Sequence, residues 1–310
     1  MFKILFTTSS FDLNNFAEIE TLKSNGFELV LNPLKKRLND VQIKNLLEVD
    51  VVGIVAGLEP LTEDVLRGAK GLKVISRCGI GLDNVDLKTA SELGISVFNT
   101  PDAPTRAVAE LTLSHILSLS RRIVEADRSV RAGNWESLMG SLISKQTIGI
   151  IGYGRIGRMV ANLLLAFGAR VIIHDKYFIP EGEIKSVSLE ELLKESDIVS
   201  LHMPYSSENH HFINSDNLRL MKKGALLINI SRGGLIDEDS LFLALESGNL
   251  GGAALDCFEN EPYHGPLINC SNVQITAHMG SYARESRSMQ EAEACIELMK
   301  GLRLHGLVNN

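Results

Sequence analysis

The chain has 310 residues, 45% apolar and 22% charged, with a formal net charge of −7. That is more than one core usually holds, so two domains are expected, and the composition excludes a disordered or low-complexity chain. An acidic chain whose basic groups are as short as Lys35-Lys36-Arg37 and Arg121-Arg122 is not expected to bind nucleic acid.

The first apolar run, Met1–Phe6, is too short for a signal peptide and reads as a strand. Strand-like runs at Lys3–Thr8, Phe27–Leu31, Val51–Val55, Leu72–Ser76 and Ile95–Asn99 alternate with helical stretches such as Asn14–Ser24 and Thr62–Gly68. This alternation predicts βα units and a parallel sheet. A helical period then runs from about Thr105 to Ala132, through Val108, Leu111, Ile116, Leu119, Ile123 and Ala126. Asp102, Pro104 and Thr105 supply its start and Gly133 its stop, and its length suggests a connector between domains. Residues 133–146 read as a loop. A second series follows, with strands at Thr147–Ile151, Arg170–Asp175, Ile198–His202, Gly224–Ile230, Gly252–Leu255 and Val273–Thr276. The last helix, Arg284 to about Leu304, places Met289, Ala292, Cys295, Ile296 and Met299 on one face and can return to the first domain. No apolar stretch approaches a membrane span. Cys78, Cys257, Cys270 and Cys295 fit no zinc module, so reduced thiols and a soluble cytoplasmic protein are expected.

The most informative motif is Gly152-Tyr153-Gly154-Arg155-Ile156-Gly157, between a strand and a helix. Gly152 permits a tight turn, Gly154 lets the backbone approach a pyrophosphate, and Gly157 allows close helix–strand packing. Free N–H groups at the helix start then bind the anion. Asp175, about 20 residues on, suits the ribose hydroxyls and repels a 2′-phosphate, which favours NAD over NADP; as a bland alternative it caps a helix, and Lys176 weakens the exclusion. The expected architecture is α/β with two doubly wound parallel-sheet domains. A flavodoxin-like substrate domain takes residues 1–99 and 284–310, and a Rossmann NAD-binding domain takes residues 100–283.

Arg232, Glu261 and His278 each follow a strand of the second series, so they can converge beyond the carboxyl ends of the sheet. Through these segments the chain resembles the D-isomer-specific 2-hydroxyacid dehydrogenases, phosphoglycerate dehydrogenases among them. Further matching segments are Gly79–Asp86, Asn99-Thr100-Pro101, Val108–Leu111 and His202-Met203-Pro204. The resemblance implies that His278 is the general acid/base, that Glu261 orients it and stabilises its charged form, and that Arg232 binds the substrate carboxylate and carbonyl oxygen. It implies that Asp256 lies near the nicotinamide amide and that His202 and Pro204 belong to the cofactor site. Backbone groups of Ala56, Gly57 and Leu58, with Gly79, would complete the substrate site. It also implies a homodimer paired through the nucleotide domains, with the long helix and the loop around Trp135 at the contact.

A proton donor and a cation at the keto oxygen stabilise the charge that hydride transfer builds there, so no metal is required. His115, His174, His210, His211, His264 and His305 have no supporting motif and read as structural. The chain ends soon after its last helix, so the C-terminal regulatory domain of longer phosphoglycerate dehydrogenases is not expected. The substrate reads as 3-phosphoglycerate or its keto partner, with Arg77 and Arg106 as phosphate partners, although Glu59 stands where a basic residue is common. The alternatives are a glyoxylate/hydroxypyruvate reductase and a non-enzymatic NAD(H)-sensing dimeric interaction protein. Formate oxidation ranks low because that lineage has Gln where Glu261 stands.

Overall fold

The computed structural model describes residues 1–8, 11, 13, 16–178, 180, 182 and 184–308. The chain divides into two compact units, Met1–Pro104 with Ser281–Asn310, and Thr105–Gly280. The divisions fall at 104/105 and 280/281.

The first unit opens with β1 (Lys3–Phe6), α1 (Ala17–Ser24), β2 (Glu28–Leu31), α2 (Asp40–Leu46) and β3 (Val51–Ala56). It continues with α3 (Glu63–Gly68), β4 (Val74–Arg77), α4 (Leu87–Glu92) and β5 (Ser96–Asn99). All strands are parallel in the order β2-β1-β3-β4-β5, the flavodoxin-like winding. Every residue of β3 is buried, which explains its unbroken apolar run. Asn39, Thr62 and Asp86 accept backbone N–H groups as N-caps of α2, α3 and α4. Asn14 and Asn15, the expected start of the first helix, lie outside the described residues.

The second unit begins with α5 (Thr105–Ser120) and α6 (Ile123–Arg131), where one continuous helix was expected. The break is made by a segment that returns from later in the chain. Ser141 N–H takes the Ser120 carbonyl at 2.8 Å, and Gly140 packs so closely that a Cβ there would lie 2.6 Å from the same oxygen. The chain turns through Arg122 in a left-handed conformation (φ 53°), and Arg122 pairs with Glu125. The series β6 (Thr147–Ile151), α7 (Arg155–Ala166), β7 (Arg170–His174), β8 (Lys185–Ser186), α8 (Leu189–Glu195) and β9 (Ile198–Leu201) follows. Then come α9 (Ser215–Leu220), β10 (Ala225–Asn229), α10 (Glu238–Glu246), β11 (Leu250–Leu255) and β12 (Val273–Ile275). The parallel sheet runs β12-β11-β10-β9-β6-β7-β8, so the strand order reverses between β6 and β9. Six strands were expected. The extra strand, β8, is two polar residues long and carries no periodic signal.

The last helix, α11 (Arg284–Leu304), belongs to the first unit. Its buried face is rotated from the expected one. Gln290, Glu291, Ala294, Cys295, Leu298, Met299, Gly301 and Leu302 are buried, whereas Met289 and Ile296 are exposed. Small residues decide the rotation: a Cβ on Gly301 would lie 2.4 Å from Val74 Cγ1, and Ser76 Oγ donates to Ala294 O at 2.7 Å. Glu291 enters the interior because Arg287 pairs with it at 3.0 Å.

Candidate active site

The glycine-rich turn joins β6 to α7 at the point where the strand order reverses, where doubly wound sheets bind ligands. Its three glycines differ in what they touch. A Cβ on Gly152 (φ +95°) would lie 2.5 Å from His202 O, and one on Gly157 would lie 2.1 Å from Gly152 O. A Cβ on Gly154 would meet no protein atom within 4 Å. Packing therefore demands the first and third glycines, whereas the second leaves open space at the start of α7. Gly154 is the N-cap of that helix and makes no side-chain capping bond. Open space beside a bare helix N-terminus fits the pyrophosphate of a dinucleotide. Arg155 is exposed beside it, and Ile156 packs onto the core.

Asp175 follows β7 and reaches back to this turn. Its carboxylate accepts from Tyr153 N–H at 2.5 Å, Tyr177 N–H at 2.7 Å and Phe178 N–H at 2.9 Å. Partial burial opposes ionisation, but the three backbone donors prevail and hold the carboxyl below its ordinary range. Asp175 thus braces the glycine turn. His202 follows β9, and its Nε2 lies 2.9 Å from Ser200 Oγ. Burial of the ring holds its pKa down to about 4. Pro204 is exposed, and its carbonyl accepts from Asn209 at 2.8 Å.

His278 and Glu261 lie on separate loops and meet. His278 Nδ1 is 2.9 and 3.1 Å from the two Glu261 carboxylate oxygens. His278 itself is left-handed (φ 51°), a conformation uncommon outside glycine and concentrated at functional sites. Asp256, which is buried, holds this loop: it accepts from Thr276 Oγ1 at 2.6 Å and from the N–H groups of Met279 and Gly280, each at 2.8 Å. Here Asp256 positions the His278 loop, a task the sequence did not suggest. Glu261 also accepts from Phe258 N–H at 3.1 Å. Gly233 lies against the same loop, since a Cβ there would be 1.9 Å from Phe258 C. Arg232, the residue before it, is held through its carbonyl, to which Asn229 Nδ2 donates at 2.8 Å, and its neighbour Ser231 is held by a hydroxyl that donates to Leu201 O at 2.7 Å.

Ala56, Gly57, Leu58 and Gly79 lie in the first unit. Gly57 N–H is already engaged: it donates to Glu59 at 2.9 Å and 3.1 Å, and to Thr7 Oγ1 at 3.2 Å. Glu59 is buried and also accepts from the Thr7 hydroxyl. Burial pushes its carboxyl pKa up against the lowering effect of these donors and of Arg77. In this structure the chain's own Glu59 carboxyl group therefore occupies Gly57 N–H, one of the backbone groups expected to complete the substrate site. Arg77 is buried, donates to Cys78 O at 2.6 Å, and folds over Gly79, where a Cβ would lie 1.2 Å from its Nη1. Arg106 is exposed and pairs with Glu110 at 2.8 Å.

Residues 113–280 match the family described as D-isomer specific 2-hydroxyacid dehydrogenase, NAD binding domain. The chain is 39% identical to a hydroxypyruvate reductase of Thermotoga maritima, over 85% of this chain and 88% of that protein. It is 37% identical to a glyoxylate reductase of Thermococcus litoralis, over 98% and 96%. It is also 38% identical to a D-3-phosphoglycerate dehydrogenase of Methanocaldococcus jannaschii, over 84% of this chain and 51% of that protein. Among solved structures it is similar to the TT0316 protein of Thermus thermophilus, with a TM-score of 0.87, 37% identity and 97% coverage of both chains.

Proposed function

The chain belongs to the D-isomer-specific 2-hydroxyacid dehydrogenase family, and from that premise we propose that it interconverts a small unphosphorylated 2-keto acid, hydroxypyruvate or glyoxylate, with its hydroxy acid. The His278–Glu261 contact at 2.9 Å carries the catalytic part of the reading. NADH, when bound, supplies the hydride. The glycine turn and the start of α7 would hold its pyrophosphate, and Asp175 its ribose. Glu261 keeps Nδ1 of His278 occupied, which leaves Nε2 to give its proton to the carbonyl oxygen during reduction and to take it back during oxidation. Arg232 binds the substrate carboxylate and offsets charge developing on the oxygen. The second unit is the NAD-binding domain and the first the substrate domain.

The choice of an unphosphorylated substrate rests on the Thr7–Glu59–Arg77 group. A phosphate needs cationic partners, but Arg77 is turned into its own unit beside the Glu59 carboxylate. The similarity to a D-3-phosphoglycerate dehydrogenase supports 3-phosphohydroxypyruvate as the second reading. The test is kcat/KM with NADH for hydroxypyruvate, glyoxylate, pyruvate and 3-phosphohydroxypyruvate. Equal or better turnover of an unphosphorylated acid is expected. A preference of about tenfold or more for the phosphorylated acid, the effect of one charge-assisted bond, would reverse the choice.

We also propose a homodimer. Among the described residues α6 buries none of its side chains, and Ile123, Val130, Trp135, Met139 and Leu142 form a run of exposed apolar groups. A second copy of the chain would cover them.

A further inference from the structure

We propose that His210, His211 and Glu259 form a binding site for a divalent transition-metal ion on the surface of the second unit, independent of the dehydrogenase chemistry. One donor atom from each lies within 4.8 Å of the other two. Glu259 Oε1 is 2.5 Å from His211 Nε2 and 3.9 Å from His210 Nε2. Four tetrahedral zinc bonds of about 2.1 Å separate neighbouring donors by roughly 3.4 Å. The two separations bracket that value, so small side-chain rotations convert the cluster into a coordination site.

Three local features favour this. Consecutive residues of an extended chain point to opposite sides. Here His211 is left-handed (φ 53°), and the two imidazoles instead lie stacked, with centroids 3.8 Å apart. His210 Nδ1 lies 3.3 Å from Tyr205 OH, so the ring has an outer partner while Nε2 faces Glu259. Ring nitrogens of metal-binding histidines are commonly held this way. Glu259 is steadied through its backbone, whose N–H donates to Glu238 at 2.8 Å. Negative charge also gathers there. Glu238 brings a second carboxyl group against the backbone of Glu259. A dication offsets that charge. Two imidazoles and one carboxylate suit zinc or its neighbours and leave a position for water, whereas calcium and magnesium require more oxygens. The site would tie the segment around His211 to the loop that also carries Glu261.

Untagged, chelator-treated protein titrated with Zn2+ in a calorimeter should bind one ion per chain. With Co2+ it should show tetrahedral d–d absorption without thiolate charge transfer, because the four cysteines are buried. H210A and E259Q should lose this binding while keeping the far-UV spectrum of the folded chain. H211N should lose it too, and asparagine tolerates the left-handed backbone at this position. Y205F removes only the outer partner and should weaken binding by about 10- to 100-fold. No binding by the parent protein, unchanged binding in H210A, or a thiolate band with Co2+ would overturn the assignment.

Discussion

At the scale of single residues, the chemistry depends on side chains whose partners are far away in sequence. His278→Ala should reduce kcat by roughly 10²- to 10⁴-fold, with little change in NADH affinity measured by fluorescence titration. Unchanged turnover would remove His278 from the mechanism. Asp256→Asn removes one oxygen acceptor from beneath the His278 loop. It should lower kcat and cost on the order of 1–3 kcal/mol in urea unfolding, because a buried N–H loses a charged acceptor. Glu59 makes a pH prediction. Its native carboxyl pKa is raised above the ordinary 4.5, so the native state keeps its proton to higher pH than the unfolded chain does. That contribution is present at low pH and is lost as pH rises through the native value. Glu59→Gln should therefore gain stability relative to the parent protein as pH rises above about 4.5. A stability difference independent of pH in urea unfolding would count against a buried, titrating carboxylate.

At the scale of elements, the β6–α7 turn separates binding from folding. Gly154→Ala adds a methyl that meets no protein atom, so it should raise the KM for NADH with a small change in Tm. Gly157→Ala drives a methyl into Gly152 O and should destabilise the protein by about 1–3 kcal/mol. If both variants lost stability equally, Gly154 would be a packing residue and the phosphate reading would fail. Asp175→Ser, at the end of β7, should lower kcat/KM with NADH and raise it with NADPH. It should also loosen the turn, since three backbone donors lose their carboxylate. His202, after β9, is a base whose native pKa is held near 4 by burial, below the ordinary 6.5. Its contribution is complete above the higher value and is lost as pH falls toward the lower one. His202→Asn should flatten the stability profile across that interval.

At the scale of the whole molecule, among the described residues no helix is long and apolar enough to cross a membrane. The apolar side chains left uncovered on α6 and the following loop are best tested in solution. Light scattering at micromolar concentration should give the mass of a dimer for the parent protein. Trp135→Ser combined with Met139→Asp should give a monomer that keeps its fold. A monomeric parent protein would contradict the pairing.

Much of the architecture was legible in the sequence because parallel strands buried on both faces read as apolar runs, and the glycine turn has a conformational reason for each glycine. Arg232, Glu261 and His278 were legible as groups placed beyond strand ends. Tertiary structure decided the rest. The break after Ser120 depends on Ser141 returning to take its carbonyl, and the rotation of α11 depends on Val74 and Ser76, more than 200 residues from its small residues. Neither leaves a periodic signal. The Glu59 carboxylate on Gly57 N–H, the Asp256 clamp and the His210–His211–Glu259 cluster arise in the same way. Hydrophobic periodicity is a property of neighbours along the chain, so it specifies strands and helices. A buried charge is specified by whatever donor the fold brings to it, and that donor is known only once the chain has folded.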